Sequence, residues 1–163
     1  ICRDRVDMHC EWHAWHMATD ADVDRQLMID LVTIPHTHID KAWSDGAYQL
    51  AKACELSGGE ITGDQLKMIL SRNERSLIAM IRDGNCVGWG VVRIDSLPNM
   101  RVLMITDLVA PGSDFQEFFS KIKELASSLG CSKVRCAADD VRERLYRMKC
   151  GFKRVYAILE VDA

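Results

Sequence analysis

The sequence predicts an α/β fold, an α+β sandwich in which a mixed central sheet is flanked by helices. Three observations predict it. Short β-branched runs alternate with segments of helical periodicity. Three of those runs follow one another with only turns between them, which is a meander. Each later strand is separated from the one before it by an amphipathic helix, which is a crossover.

The elements follow in order. MIDLVTIP (28–35) is short, apolar and β-branched, and Pro35 stops it as a strand. In the next segment Ile39, Trp43, Ala47, Leu50, Ala51 and Cys54 recur at helical spacing, and Gly58-Gly59 end the helix. TGDQLKMILSRNE is a second helix, with Thr62 as its cap and Leu66, Ile69 and Leu70 as its buried face. The strand 76–84 turns at Asp83-Gly84-Asn85, a hairpin signal, into the strand 86–95. After Pro98-Asn99 comes RVLMITDLVA (101–110), nearly continuously apolar and therefore expected to be a central strand. SDFQEFFSKIKELASSLG is a helix capped by Ser113 or Asp114, with Gln116 or Glu117 completing a capping box. Phe115, Phe118, Phe119, Ile122 and Leu125 face its core side, and Gly130 stops it. KVRCAAD (133–139) is a strand, 140–151 a short helix and FKRVYAILEV (152–161) the last strand.

The chain has 163 residues, which fits one domain. Residues 1–27 read as a partly helical N-terminal extension rich in His, Trp and Asp, and residues 28–163 as the domain. Hydrophobic residues make up 48%, enough for a sizeable core. A formal net charge of −3 does not favour a dedicated nucleic-acid binder. The seven cysteines are scattered with no C-x-x-C, which reads as reduced thiols in a cytoplasmic compartment. No apolar run approaches the ~18 residues of a membrane span.

Two clusters carry possible chemistry. His9, His13 and His16, with Cys10, share one face of a helix in the extension; two histidines at i, i+4 can hold zinc. Met8, Trp12 and Trp15 form a parallel apolar stripe, and no matching Cys/His pair follows, so no metal is expected. Trp12 and Trp15, with Trp43, suggest a contact surface for a protein partner, and packing of the extension onto its own domain would suit them equally. The second cluster is basic: Arg142, Arg144, Arg147, Lys149, Lys153 and Arg154, with Lys133 and Arg135 nearby. Phosphates or an acidic partner would suit it, and so would a solvated helix face with Glu143 mixed in.

The element order and the stretch DDVRERLYRMKCGFKRVYAILEV resemble the GNAT N-acetyltransferase superfamily, over roughly residues 28–161. In that family a loop leads to a short helix ending in Tyr-x-x-x-Gly-Phe and then a strand. Here Tyr146, Gly151 and Phe152 hold those positions with one residue more between them, and Asp139 or Asp140 stands for the family's Asn. MITDLVAPG is similar to the family's fourth strand, with Asp107 as its acidic residue. The resemblance implies an acyl-CoA-dependent N-acetyltransferase. Acetyl-CoA would be its cofactor and a small-molecule or protein amine its acceptor. Asp107 would be the general base and Tyr146 the general acid. The backbone of Leu108, Val109 and Ala110 would hold the pantetheine arm, Gly112 and Ser113 would lie at the pyrophosphate junction, and Arg142 would meet the CoA 3′-phosphate.

The junction departs from the family pattern. The family uses Q/R-x-x-G-x-G/A, whose glycines let backbone N–H groups approach the phosphates. Here Pro111-Gly112-Ser113-Asp114-Phe115-Gln116 has one glycine and no arginine. Asp114 and Glu117 would set like charges against a diphosphate, at on the order of 4 kcal/mol per pair. That departure implies the alternative function: a catalytically silent GNAT-like domain that binds or builds. Such domains also occur among tailed-phage proteins, virion components included, which would place the chain in host cytoplasm or a virion.

Overall fold

The structure is a computed structural model, and it describes residues 29–110 and 115–162. Five strands form one sheet in the order β1-β2-β3-β4-β5. They are β1 (Asp30–Ile34), β2 (Ser76–Arg82), β3 (Asn85–Leu97), β4 (Met100–Val109) and β5 (Lys133–Cys136). The first four pair antiparallel and β5 runs parallel to β4. The meander read from the turns at Asp83-Gly84 and Pro98-Asn99 is thus formed, as is the crossover to β5.

Helices cover both faces, as the α/β reading requires. On one face lie α1 (Ile39–Asp45), α2 (Leu50–Glu55) and α3 (Gly63–Ser71). Ile39, Leu50, Cys54, Leu66 and Leu70 bury there against Leu77, Ala79, Trp89 and Val91 of the sheet. On the other face lie α4 (Phe115–Ser128) and α5 (Asp140–Cys150). Phe118, Phe119, Ile122 and Tyr146 pack there with Ile78, Met80, Leu103 and Ile105. The cap expected at Thr62 is present as a reciprocal box. Its hydroxyl accepts from the Gln65 N–H, and the Gln65 side chain accepts from the Thr62 N–H at 2.9 Å.

Two expectations are corrected. The single helix predicted to begin at Ile39 is broken at Gly46, which adopts φ 142°, a conformation that L side chains rarely take. The Trp89 indole lies 3.3 Å from where a Cβ would stand on Gly46, so the break is packed as well as turned. The last strand, 152–161, is not formed: α5 ends on left-handed Gly151, and residues beyond Phe152 run exposed without a ladder partner. Its β-branched and aromatic residues suit a strand, but a strand exists only where a neighbour completes its backbone hydrogen bonds. The extension 1–27 lies outside the described residues, as do its histidines and tryptophans.

Two bulges interrupt the ladders. Met80 faces Gly88 while Ile81 faces Cys86, so Val87 is the extra residue of β3. Val91 faces Asp107 while Val92 faces Ile105, so Thr106 is the extra residue of β4. The second bulge positions the candidate site.

Candidate active site

Side chains alternate along a strand, so Ile105 and Asp107 would share a face if β4 were regular. The bulge at Thr106 breaks that alternation. Ile105 packs into the α4–α5 core, whereas the Asp107 carboxylate turns to the opposite layer and meets Cys54 of α2. There Asp107 is buried, the only buried charged side chain among the described residues. Its carboxylate accepts from the Thr106 hydroxyl at 2.7 Å and from the Cys54 thiol at 3.7 Å. The Arg75 guanidinium stands 3.6 Å away. Burial, and after it the Asp107 carboxylate, push the Cys54 thiol up to about 11, so it stays a protonated donor.

Beyond the bulge, β4 loses one neighbour. The β4–β5 ladder runs from Val102–Lys133 to Ile105–Cys136 and stops, while β4 itself continues to Val109 against β3. The pairing therefore ends at Ile105 and Cys136, and residues 106–109 of β4 have no ladder partner on the β5 side. In an antiparallel pair, backbone groups alternate in direction, so part of those in 106–109 face the space that β5 leaves. On its other side the strand end is held tightly. A Cβ on Gly88 would stand 2.8 Å from the Val109 carbonyl and 3.1 Å from the Ala110 Cα, so only glycine admits that approach.

Tyr146 projects from α5 into the core on this face, packed edge-on against Phe119 with ring centroids 5.1 Å apart. Leu108, Ala110 and Cys136 border the same core. Tyr146, Leu108 and Ala110 thus belong to the same face of the sheet. Asp107 lies on the other face, and Val109 packs toward that second layer. Burial pushes the Tyr146 phenol above its ordinary value of 10.0, with Cys136 adding to the shift and Arg142 opposing it.

The remaining predicted residues divide. Gly112, Ser113 and Asp114 lie outside the described residues. Arg142 is an exposed residue of the first turn of α5, 3.3 Å from the carboxylate of Asp139, the residue that caps this helix. Among the other basic residues, Arg147 pairs with Glu143 at 3.4 Å, and Arg154 pairs with Glu143 and Asp140. Three of the eight basic residues, Arg142, Arg147 and Arg154, thus have local carboxylate partners.

Three residues of the site have no signal in the sequence. Arg75 and Cys54 meet Asp107 only through the fold. Arg82, at the end of β2, meets Glu117 in the first turn of α4 at 3.0 Å. Glu117 also accepts the backbone N–H of Ile29. Of the two carboxylates expected to repel an anion at this helix end, Glu117 is thus already paired with a cation from a distant strand.

With this geometry in place, comparison with solved structures is informative. A probable acetyltransferase superposes with a TM-score of 0.57 at 15% identity, covering 82% of this chain and 99% of that one. The chain has the GNAT fold. An aminoglycoside N-acetyltransferase determined in complex with CoA gives a TM-score of 0.57 at 14% identity, covering 86% of this chain and 98% of the other. A ribosomal-protein-alanine N-acetyltransferase from Brucella melitensis biovar Abortus 2308 gives 0.57 at 13% identity, covering 83% and 97%. No protein-family model matches the sequence, and no curated protein matches it. Among the described residues no group of three His, Cys, Asp or Glu side chains is placed to hold a metal ion, and no helix is long and apolar enough to cross a membrane.

Proposed function

We propose that this GNAT-fold chain is an N-acyltransferase that takes acetyl-CoA as its donor and an amine as its acceptor. The observation that supports it most is the end of the β4–β5 ladder at Ile105 and Cys136, four residues before β4 itself ends. A sheet that opens at one end offers backbone donors and acceptors to an extended ligand, without side-chain specificity. In this reading the strand end Leu108-Val109-Ala110 holds the pantetheine arm, Gly112 and Ser113 lie at the diphosphate end, and Arg142 serves the 3′-phosphate once released from Asp139. The compensation of Glu117 by Arg82 and the Ile29 N–H supports the fit, since it removes half of the charge conflict seen in the sequence.

Acyl-CoA supplies an activated acyl group and a thiolate leaving group. Tyr146 holds a proton at Oη throughout the neutral range, because burial raises its phenol, and that is the state a general acid needs. Asp107 fits the general-base role less well. Its lone pairs are engaged by Thr106 and Cys54 and its charge faces Arg75. We assign it to holding the bulge in place, with the acceptor amine arriving neutral. The acceptors named for the similar structures are an aminoglycoside and a ribosomal-protein alanine, so the class is a small-molecule or protein amine.

The engagement of Asp107 also favours a second reading, a catalytically silent domain that binds a partner, as degenerate domains in virions would. Calorimetric titration with acetyl-CoA at low salt separates the two. Micromolar binding that Val109→Pro abolishes supports the enzyme. Absence of heat at millimolar acetyl-CoA, in protein with an intact melting transition, overturns it.

A further inference from the structure

The end of β4 has two ways to pair with β3, and one residue separates them. In the observed register Thr106 is the extra residue, and Val91, Gly90 and Trp89 face Asp107, Leu108 and Val109. Without the bulge, the ladder that joins Val92 to Ile105 would continue evenly. Val91, Gly90 and Trp89 would then face Thr106, Asp107 and Leu108. A one-residue slip sends every side chain beyond it to the other face of the sheet. It also exchanges the backbone groups that bond to β3 with those that point away from it. The register therefore decides which N–H and C=O groups of 107–109 β4 presents on its β5 side, where the ladder has ended.

The apolar residues discriminate poorly between the two registers. Leu108 and Val109 are both half-buried, one against each core, and a slip only puts Leu108 where Val109 stands. The bulge leaves a residue outside the ladder, which favours the even pairing. Asp107 discriminates strongly. In the observed register its carboxylate meets the Thr106 hydroxyl at 2.7 Å, the Cys54 thiol at 3.7 Å and the Arg75 guanidinium at 3.6 Å. After a slip it would stand opposite Gly90, in the place of Leu108. A Cβ on Gly90 would lie 3.7 Å from a Leu108 methyl and 3.9 Å from the Phe118 ring, so that place is apolar. An ionised carboxylate is costly there. Of the three groups that hold Asp107 on the other face, Thr106 and Cys54 are neutral donors, and Arg75 brings the opposite charge.

We infer that the Arg75–Asp107 pair sets the register of β4. Arg75 is thereby a positioning residue. It comes from the turn before β2 and aims the backbone of 108–110 through Asp107. Fixing a register is the best-attested use of a buried polar group. The inference rests on the acyltransferase reading for its functional part, since that reading gives this backbone to the pantetheine arm. The register itself is readable without a ligand.

Cross-strand backbone NOEs in isotope-labelled protein test it. In the parent Gly90 should contact Leu108. Replacing both partners, Arg75→Leu with Asp107→Leu, removes the discrimination and leaves no charge behind. The melting transition should persist, while Gly90 contacts position 107 instead. Asp107→Leu alone, in which Arg75 keeps its path to solvent, is the second variant and shifts the same way. Arg75→Lys keeps the charge and the parent register. Calorimetric titration with acetyl-CoA on the same samples reads the consequence. The dissociation constant should rise about tenfold or more in the two leucine variants and stay near the parent's in Arg75→Lys. A pair that only adds stability would move neither readout in variants that still fold. Gly90 contacting Leu108 in both leucine variants overturns the inference. Unchanged affinity in a variant whose register has moved overturns the positioning role. A parent that binds no acetyl-CoA overturns the acyltransferase reading instead, and the NOEs still decide the register.

Discussion

Arg75, in the turn before β2, sets its guanidinium 3.6 Å from the carboxylate of Asp107 on β4, although β3 lies between those strands. The pair ties the sheet together at the bulge. Asp107 is nearly sealed from water, its side chain 4% exposed, and Arg75 is 20% exposed. Removing one partner leaves a buried charge uncompensated. Arg75→Ala is expected to destabilise the fold by about 2–3 kcal/mol, somewhat under the range for fully buried pairs because Arg75 keeps some solvent. Urea denaturation of the two single variants and of Arg75→Ala with Asp107→Asn measures it. A double variant whose loss equals the sum of the singles would show that the pair does not act together.

Tyr146 separates structure from chemistry. Its ring packs against both Phe119 and Phe152, and Tyr146→Phe preserves those contacts. The variant is expected to melt within a few degrees of the parent. If the acyltransferase reading holds, kcat falls by about 10²-fold while acetyl-CoA affinity changes little. An unchanged kcat would remove Tyr146 from the reaction.

What was legible in the sequence, and what was not, follows from distance along the chain. Turn chemistry at Asp83-Gly84 and helical spacing around Phe118 and Ile122 are local signals, and the elements they imply are present. The break at Gly46 is local too, but a glycine inside a helical pattern is ambiguous until Trp89 is seen packing against it. The segment 152–161 has strand-forming residues and no partner among the described strands, which no local pattern reveals. Asp107 was legible as an acidic residue on β4. Its partners were not: Cys54 comes from α2 and Arg75 from the turn before β2, and the bulge that turns it toward them is a property of pairing.

Alkaline pH should act through buried thiols. Burial raises Cys136 from 9.0 to about 11, with Cys150 adding to it, and raises Cys54 equally far. In the unfolded chain these thiols ionise first, near 9.0. Their contribution to stability is complete below that pH and is lost as pH rises through about 11. Cys54→Ser keeps a donor for Asp107 and removes one titrating group. The fall in the urea midpoint with rising pH should then become shallower. A profile identical to the parent's would show that Cys54 does not contribute.

Glu117 tests whether the helix end repels anions. It binds Arg82 and the Ile29 N–H, so its charge is spent on holding β1 and β2 to α4. Glu117→Gln weakens both hydrogen bonds and should cost about 1–2 kcal/mol in thermal or urea unfolding. If Glu117 were an uncompensated obstacle to a diphosphate, the same variant would bind acetyl-CoA much more tightly. The compensated geometry predicts an affinity within about threefold of the parent, below the ~1.4 kcal/mol of a tenfold change. A tenfold gain would restore the repulsion argument.

Gly88 controls the strand end from the opposite side. A Cβ there meets the Val109 carbonyl at 2.8 Å and the Ala110 Cα at 3.1 Å, both backbone atoms that cannot rotate away. Gly88→Ala must therefore push the end of β4 outward, toward the space β5 leaves, at about 1–3 kcal/mol of overpacking. The displaced atoms belong to the stretch proposed to hold the pantetheine arm, so affinity for acetyl-CoA should fall together with stability. Gly90→Ala is the control on the same strand, because its added Cβ finds only ordinary contacts, with the nearest atom 3.7 Å away on a Leu108 methyl. Calorimetry on both variants, each checked by its melting transition, decides the point. Weakened binding in Gly88→Ala alone locates the ligand at Val109 and Ala110, and equal binding in both moves it elsewhere.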